Sequence, residues 1–124
     1  MEKQLQRVTE GQAKKLFDAG FDWECNHFYN KKGELKYSER TDSSFSYLSV
    51  ARVNAPTVAL ALMWFRSVHK LVSEVRIYSD CVYCFDLHKN GILLHHSLLS
   101  FKTYELAESA SLDELLNLIK TKNV

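Results

Sequence analysis

Polar and apolar positions alternate along the chain in distinct periods, and each period predicts an element. Ala13, Leu16 and Phe17 fall at i, i+3, i+4, one apolar stripe of a helix. Thr9 and Gln12 ahead of it form a Thr-x-x-Gln capping box, Val8 is placed to staple onto Ala13, and Gly20 sits at a left-handed terminator position. The spacing predicts a helix over 10–19. Residues 24–29 and 34–37 flank the turn residues Asn30-Lys31-Lys32-Gly33 and read as a hairpin. Thr41-Asp42-Ser43-Ser44 is a polar loop, and Phe45, Tyr47 and Leu48 to Val53 form a short extended segment. Pro56-Thr57 opens a second helix. Leu60, Ala61, Trp64, Val68 and Leu71 make its stripe, and Val58, Leu62 and Phe65 widen it. Such an apolar helix needs a sheet against most of its circumference, with Trp64 and Leu60 nearly buried.

The pattern then changes to a period of two. Val75 and Ile77 alternate with Glu74, Arg76 and Tyr78, a strand over 73–78. Asn90-Gly91 signals a tight hairpin with positive φ at both turn residues. With those two as the loop, Lys89 pairs with Ile92. Continued without interruption, the register sets Leu87 against Leu94, Phe85 against His96 and Tyr83 against Leu98 on an apolar face. On the opposite face Asp86 meets His95, Cys84 meets Ser97 and Val82 meets Leu99. A last helix is expected over 104–121, with Leu112, Leu115, Leu116 and Ile119 inward and Thr103 as its cap. Ser111-Leu112-Asp113-Glu114 reads as a second capping box, which predicts a break near 109–111.

These elements describe an α+β fold, an antiparallel sheet of four to six strands with helices packed on it, in the order α-β-β-(β)-α-β-β-β-α. The 124 residues suit a single globular domain, with 1–8 and 122–124 free to fray. Only four Gly and one Pro are present, which removes collagen-like and low-complexity classes. Charge changes the picture little. Sixteen basic and fifteen acidic side chains leave +1, and no segment is strongly basic, so no electrostatic footprint for nucleic acid is visible. The opening residues are polar with no apolar stretch behind them, and the longest apolar run, Val58 to Phe65, is far short of a membrane span. Three cysteines and no Asn-x-Ser/Thr site suit a cytoplasmic protein with reduced thiols and no membrane partner.

Three stretches carry a resemblance. They are Val8-Thr9-Glu10-Gly11-Gln12-Ala13-Lys14-Lys15-Leu16, Ala55-Pro56-Thr57 with Trp64-Phe65-Arg66, and Phe101-Lys102-Thr103-Tyr104-Glu105-Leu106-Ala107. They resemble a group of short uncharacterised phage and prophage proteins common in intestinal Bacteroides-type bacteria and their mobile elements. The resemblance implies a bacterial or phage origin and an intracellular setting. It brings no activity and no functional residues. Leu60 stands where that group has an acidic residue three after the helix cap.

Candidate chemistry is sparse. Cys81-Val82-Tyr83-Cys84 is a Cys-x-x-Cys without the second pair that closes a zinc site, and in a strand its two thiols face opposite ways. One is therefore expected to be packed. Asp86, His88 and His95 share the mixed hairpin face in the expected register, with Cys84 beside them. Such a set suits a weak metal site or a carboxylate orienting a base, and more simply an outward polar face with one ion pair. His96 falls on the apolar face as a core histidine. Tyr29, Tyr37, Phe45 and Tyr47 are aromatic enough to stack on bases or a partner, or to pack the sheet. Lys14-Lys15 and Lys31-Lys32 read as solvated surface. No phosphate loop or hydrolase signature is present. The expectation is a small non-enzymatic accessory or protein-interaction module of a phage or mobile element, without cofactor, able to form homo-oligomers. A nucleic-acid-binding module is the alternative, and a metal-dependent enzyme built on the Asp86 face the third.

Overall fold

The computed structural model describes residues 5–38 and 53–121. The polar loop at 41–44 and the extended segment from Phe45 to Arg52 lie outside the described residues. The elements are helix α1 (Glu10–Asp18), strands β1 (His27–Tyr29), β2 (Leu35–Tyr37) and β3 (Val53–Asn54), helix α2 (Val58–Trp64), strands β4 (Leu71–Ser79), β5 (Val82–Lys89) and β6 (Ile92–His96), and helix α3 (Tyr104–Thr121). This is the expected α+β order. The strands are divided between two three-stranded antiparallel sheets, β2-β1-β3 and β4-β5-β6. The chain forms two compact units, residues 1–60 and 61–124.

In the first unit the capping box at α1 is formed in both directions, Gln12 N to Thr9 Oγ1 at 3.1 Å and Thr9 N to Gln12 Oε1 at 3.0 Å. Phe21 N donates to Leu16 O and Gly20 N to Phe17 O, a Schellman end with Gly20 at φ 95°. Residues 6–8 are tied down. Val8 N donates to Pro56 O, Val58 N donates to Gln6 O, and the Val8 side chain is buried. The hairpin β1–β2 turns through Lys31-Lys32-Gly33, with Asn30 Oδ1 accepting from Lys32 N and Glu34 N. Gly33 has φ 78°, a left-handed conformation that favours glycine; an added Cβ would meet only the movable carboxylate end of Glu10, so conformation rather than space selects glycine here.

In the second unit, Asn90 and Gly91 adopt φ 53° and 79° and Lys89 pairs with Ile92, as the turn signal predicts. Five differences from the sequence pattern matter across the two units. The helix after Thr57 does not run to Leu71. After Trp64 the chain makes a π-helical turn, Phe65–His69, and Lys70 at φ 59° ends it. The wider turn swings Val68 into solvent and lets Leu71 open β4 as a buried strand residue. Trp64 is buried as expected, whereas Leu60 is only half-buried. On α1, Phe17 is largely exposed although Ala13 and Leu16 are buried.

The expected break in α3 does not occur, because Ser111 is not a cap. Its hydroxyl donates to Glu108 O at 2.7 Å, it accepts from Ser73 Oγ at 2.8 Å, and the residue is fully buried. The polar group at mid-helix is thus satisfied from its own turn and from β4. Thr103 caps the helix through Leu106 N at 3.1 Å. Leu112, Leu115 and Leu116 of α3 join Leu71, Phe85 and Leu87 in the buried core of this unit.

Candidate functional site

The fifth difference sits in the β5–β6 ladder, where the candidate chemistry lies. His88 pairs with Leu93, but Leu87 pairs with His95 and Asp86 with His96, so Leu94 is left over as a bulge. The uninterrupted register is corrected by one residue from there on. His95, expected beside Asp86, lies on the Phe85–Leu87 face. It stacks on Phe85 with centroids 5.8 Å apart, and its Nδ1 is 3.9 Å from Glu114 Oε1 on α3. His96, expected in the core, is the residue that meets Asp86. Both histidines exchange roles because one unpaired residue reverses the alternation of everything after it.

Asp86 is 7% exposed and accepts on both oxygens. His96 Nδ1 is bonded to Oδ1, and Arg76 Nη2 of β4 lies 2.8 Å from Oδ2. Burial pushes the Asp86 carboxyl up. The His96 hydrogen bond and the Arg76 guanidinium outweigh it, and the net shift is downward. His88 shares this face but reaches Glu74, its Nε2 being 3.8 Å from Glu74 Oε2. Glu74 and Arg76 therefore complete a polar row with Asp86, His88 and His96, centred on an already paired carboxylate. Among the described residues no group of three or more His, Cys, Asp or Glu side chains is arranged to hold a metal ion.

Beyond His96 the chain leaves the sheet. Ser97 N donates to Phe85 O at 2.9 Å and Phe85 N donates to Ser97 Oγ at 3.0 Å. The backbone of Phe101 then exchanges two bonds with Tyr83, both 2.8 Å. Residues 98–100 arch outward between these two anchors. Leu98 and Leu99 stand 94% and 73% exposed. They wall an open cleft of about 310 Å³ lined by Tyr78, Cys84, His96, Ser97 and Ser100. Cys84 forms part of its lining and is nearly buried, while Cys81 is exposed in the preceding turn with φ 56°. All three cysteines are free. Sequence reasoning passed over Leu98 and Leu99, assigning them to strand positions. The adjacent Ser97 and Ser100 were the available signal, since serines flanking two leucines suit a short loop better than a ladder.

Of the aromatic candidates of the first unit, the described residues hold Tyr29 and Tyr37, on one face of the β1–β2 hairpin. The Tyr29 hydroxyl donates to Val8 O at 2.6 Å, which fixes it to the segment before α1. Tyr37 is exposed on the edge strand β2 and meets His27 edge-on at 5.2 Å. Phe45 and Tyr47 lie outside the described residues. No helix of the described residues is long and apolar enough to cross a membrane. The chain matches no family model, and no curated protein or solved structure matches it.

Proposed function

We propose that this chain is a small non-enzymatic protein-interaction module, an accessory of a phage or mobile element, whose contact point is the cleft beneath Leu98 and Leu99. The observation that carries this reading is the pair of leucines themselves. Two adjacent large apolar side chains stand largely in water beside a concave site, held there by backbone bonds on both sides at Ser97 and Phe101. Exposed apolar groups scattered singly mean little, but a preorganised pair beside Tyr78 forms a patch of the kind partners bury. The Asp86–His96 pair supports the same view. Both carboxylate oxygens are engaged, and the imidazole lies at an open rim rather than in a dry pocket where it would act as a base. The Bacteroides-type phage resemblance of the sequence agrees with an accessory role.

The test is selection from a displayed library of short peptides against the full chain and against a Leu98→Asp/Leu99→Asp variant. Enrichment of apolar or aromatic sequences by the parent, lost in the folded variant, supports the module. The absence of any enriched sequence, or enrichment indifferent to the substitutions, overturns it.

A further inference from the structure

The second sheet has two edges, and they are built differently. The β6 edge is short and interrupted by the Leu94 bulge, a device that discourages strand addition. The β4 edge is nine residues long, Leu-Val-Ser-Glu-Val-Arg-Ile-Tyr-Ser, with neither Pro nor Lys, and its ladder with β5 is regular from Leu71 to Ile77, the one irregularity falling beyond that stretch at Tyr78. Among the described residues no strand pairs with its outer side. Ile77 and Tyr78 are 72% and 70% exposed there.

The hydrogen bonds of β5 fix which β4 groups face outward. Phe85 and Tyr83 direct their backbone N–H and C=O away from β4, to Ser97 and to Phe101. Their ladder partners Val75 and Ile77 therefore point away from β5 as well, as in any non-hydrogen-bonded antiparallel pair. Ser73 follows by the same alternation. Ser73, Val75 and Ile77 thus present a row of donors and acceptors that no strand among the described residues takes up.

From this geometry we infer that β4 pairs with β4 of a second copy, antiparallel about a two-fold axis at Val75, joining the two sheets into one. This contact goes beyond the peptide-cleft reading and is distinct from the Leu98–Leu99 cleft except at Tyr78, which borders both. In this register Val75 faces Val75, and Ser73 faces Ile77 on each side, so every open backbone group of the row meets a partner. Side chains select the register. Glu74 comes opposite Arg76 of the other copy, twice by symmetry, within the regular stretch Leu71–Ile77. Moving the axis to Glu74 or to Arg76 sets like charges against each other at the centre, and an axis at Ser73 sets Arg76 against Lys70. Only the Val75 axis places opposite charges together. One patch meeting itself is what an isologous dimer requires.

Sedimentation equilibrium of the full chain over roughly 1–200 µM reads the answer. Two variants leave the fold of the unit in place. Ile77→Pro removes an outward N–H that makes no bond to β5, at an exposed side chain. Glu74→Lys turns two opposite-charge pairs into like-charge pairs at an exposed position. The expected result is a two-chain mass for the parent. Ile77→Pro stays monomeric with an unchanged circular dichroism spectrum. Glu74→Lys raises the dissociation constant about tenfold, an effect that shrinks as salt rises. A monomeric parent over the whole range, or a dimer indifferent to both variants, overturns the inference.

Discussion

Asp86 on β5 and His96 on β6 face each other across the ladder and are bonded through Oδ1 and Nδ1. With Arg76 on the other oxygen, the carboxylate ties all three strands of the sheet together. Removing one partner leaves a nearly buried charge short of a bond, at a cost of about 1–3 kcal/mol. His96→Ala should fall in that range by chemical denaturation. His95→Ala should cost below about 1 kcal/mol, because its contacts are a ring stack and a distant carboxylate at 3.9 Å.

The same carboxylate sets an acid dependence. Its pKa is held below the ordinary value in the fold, so its stabilising contribution is complete above the unfolded pKa of about 3.9. That contribution is lost as pH falls through the lower, folded value. Asp86→Asn should therefore be less stable than the parent at pH 7 and at pH 5, and the difference should begin to narrow below about pH 3.9 and close as pH passes the lower, folded value. A constant difference across that range would remove Asp86 from the acid limb.

Ser111 offers a sharper test, because its two readings predict opposite signs. At a helix N-cap, Asp is among the best residues, and Ser111→Asp would be neutral or favourable. In the middle of α3, fully buried against Ser73, the same substitution places a carboxylate where no cation is available among its observed partners. The expected loss exceeds about 3 kcal/mol. Ser111→Ala should cost only about 1–2 kcal/mol, since it removes the two hydrogen bonds of the hydroxyl but improves helix propensity.

What the sequence made legible was local. The Thr9–Gln12 box, the Asn30–Gly33 and Asn90–Gly91 turns and the Thr103 cap each depend on residues within a few positions, and all are formed. What it hid was every case in which one residue shifts a phase. The bulge at Leu94 exchanges His95 and His96, and the π turn at Phe65–His69 takes Val68 off the buried stripe. Neither leaves a periodic signal, because a pattern of apolar positions cannot report a residue that the ladder skips. Ser111 failed for a related reason. A Ser-x-x-Glu spacing is shared by caps and by ordinary helix interior, and only the Ser73 contact distinguishes them.

Thiol chemistry should follow burial. Cys81 is exposed in the β4–β5 turn, and Cys84 lies nearly buried along the cleft. Burial pushes the Cys25 thiol up to about 11, with Arg7 opposing only in part. Since the thiolate is the reactive form, Cys25 is protected twice, by access and by protonation. Iodoacetamide at pH 8 should modify Cys81 alone in the native protein, and all three thiols in denaturant. Mass spectrometry of the labelled peptides reads the sites. Rapid native labelling at Cys25 would show that the first unit opens more readily than its packing implies.

The π turn makes a final comparison between two residues that an ideal helix would place on one stripe. Trp64 and Val68 are four apart, the spacing at which both would face the core. The wider turn separates them. Trp64 is buried, with its ring edge-on to Phe65 at 5.0 Å and to His69 at 4.9 Å, while Val68 stands half in solvent. Trp64→Ala removes a large buried ring and leaves a cavity that the flanking rings cannot refill, a loss of about 3–5 kcal/mol. Val68→Ala removes two methyl groups already largely in water, and should lie within about 0.5 kcal/mol of the parent. Urea titrations of both variants, with the slope held common, separate the two positions. Equal losses would mean that α2 continues as an ordinary helix through Val68 and that the π turn is not populated in solution.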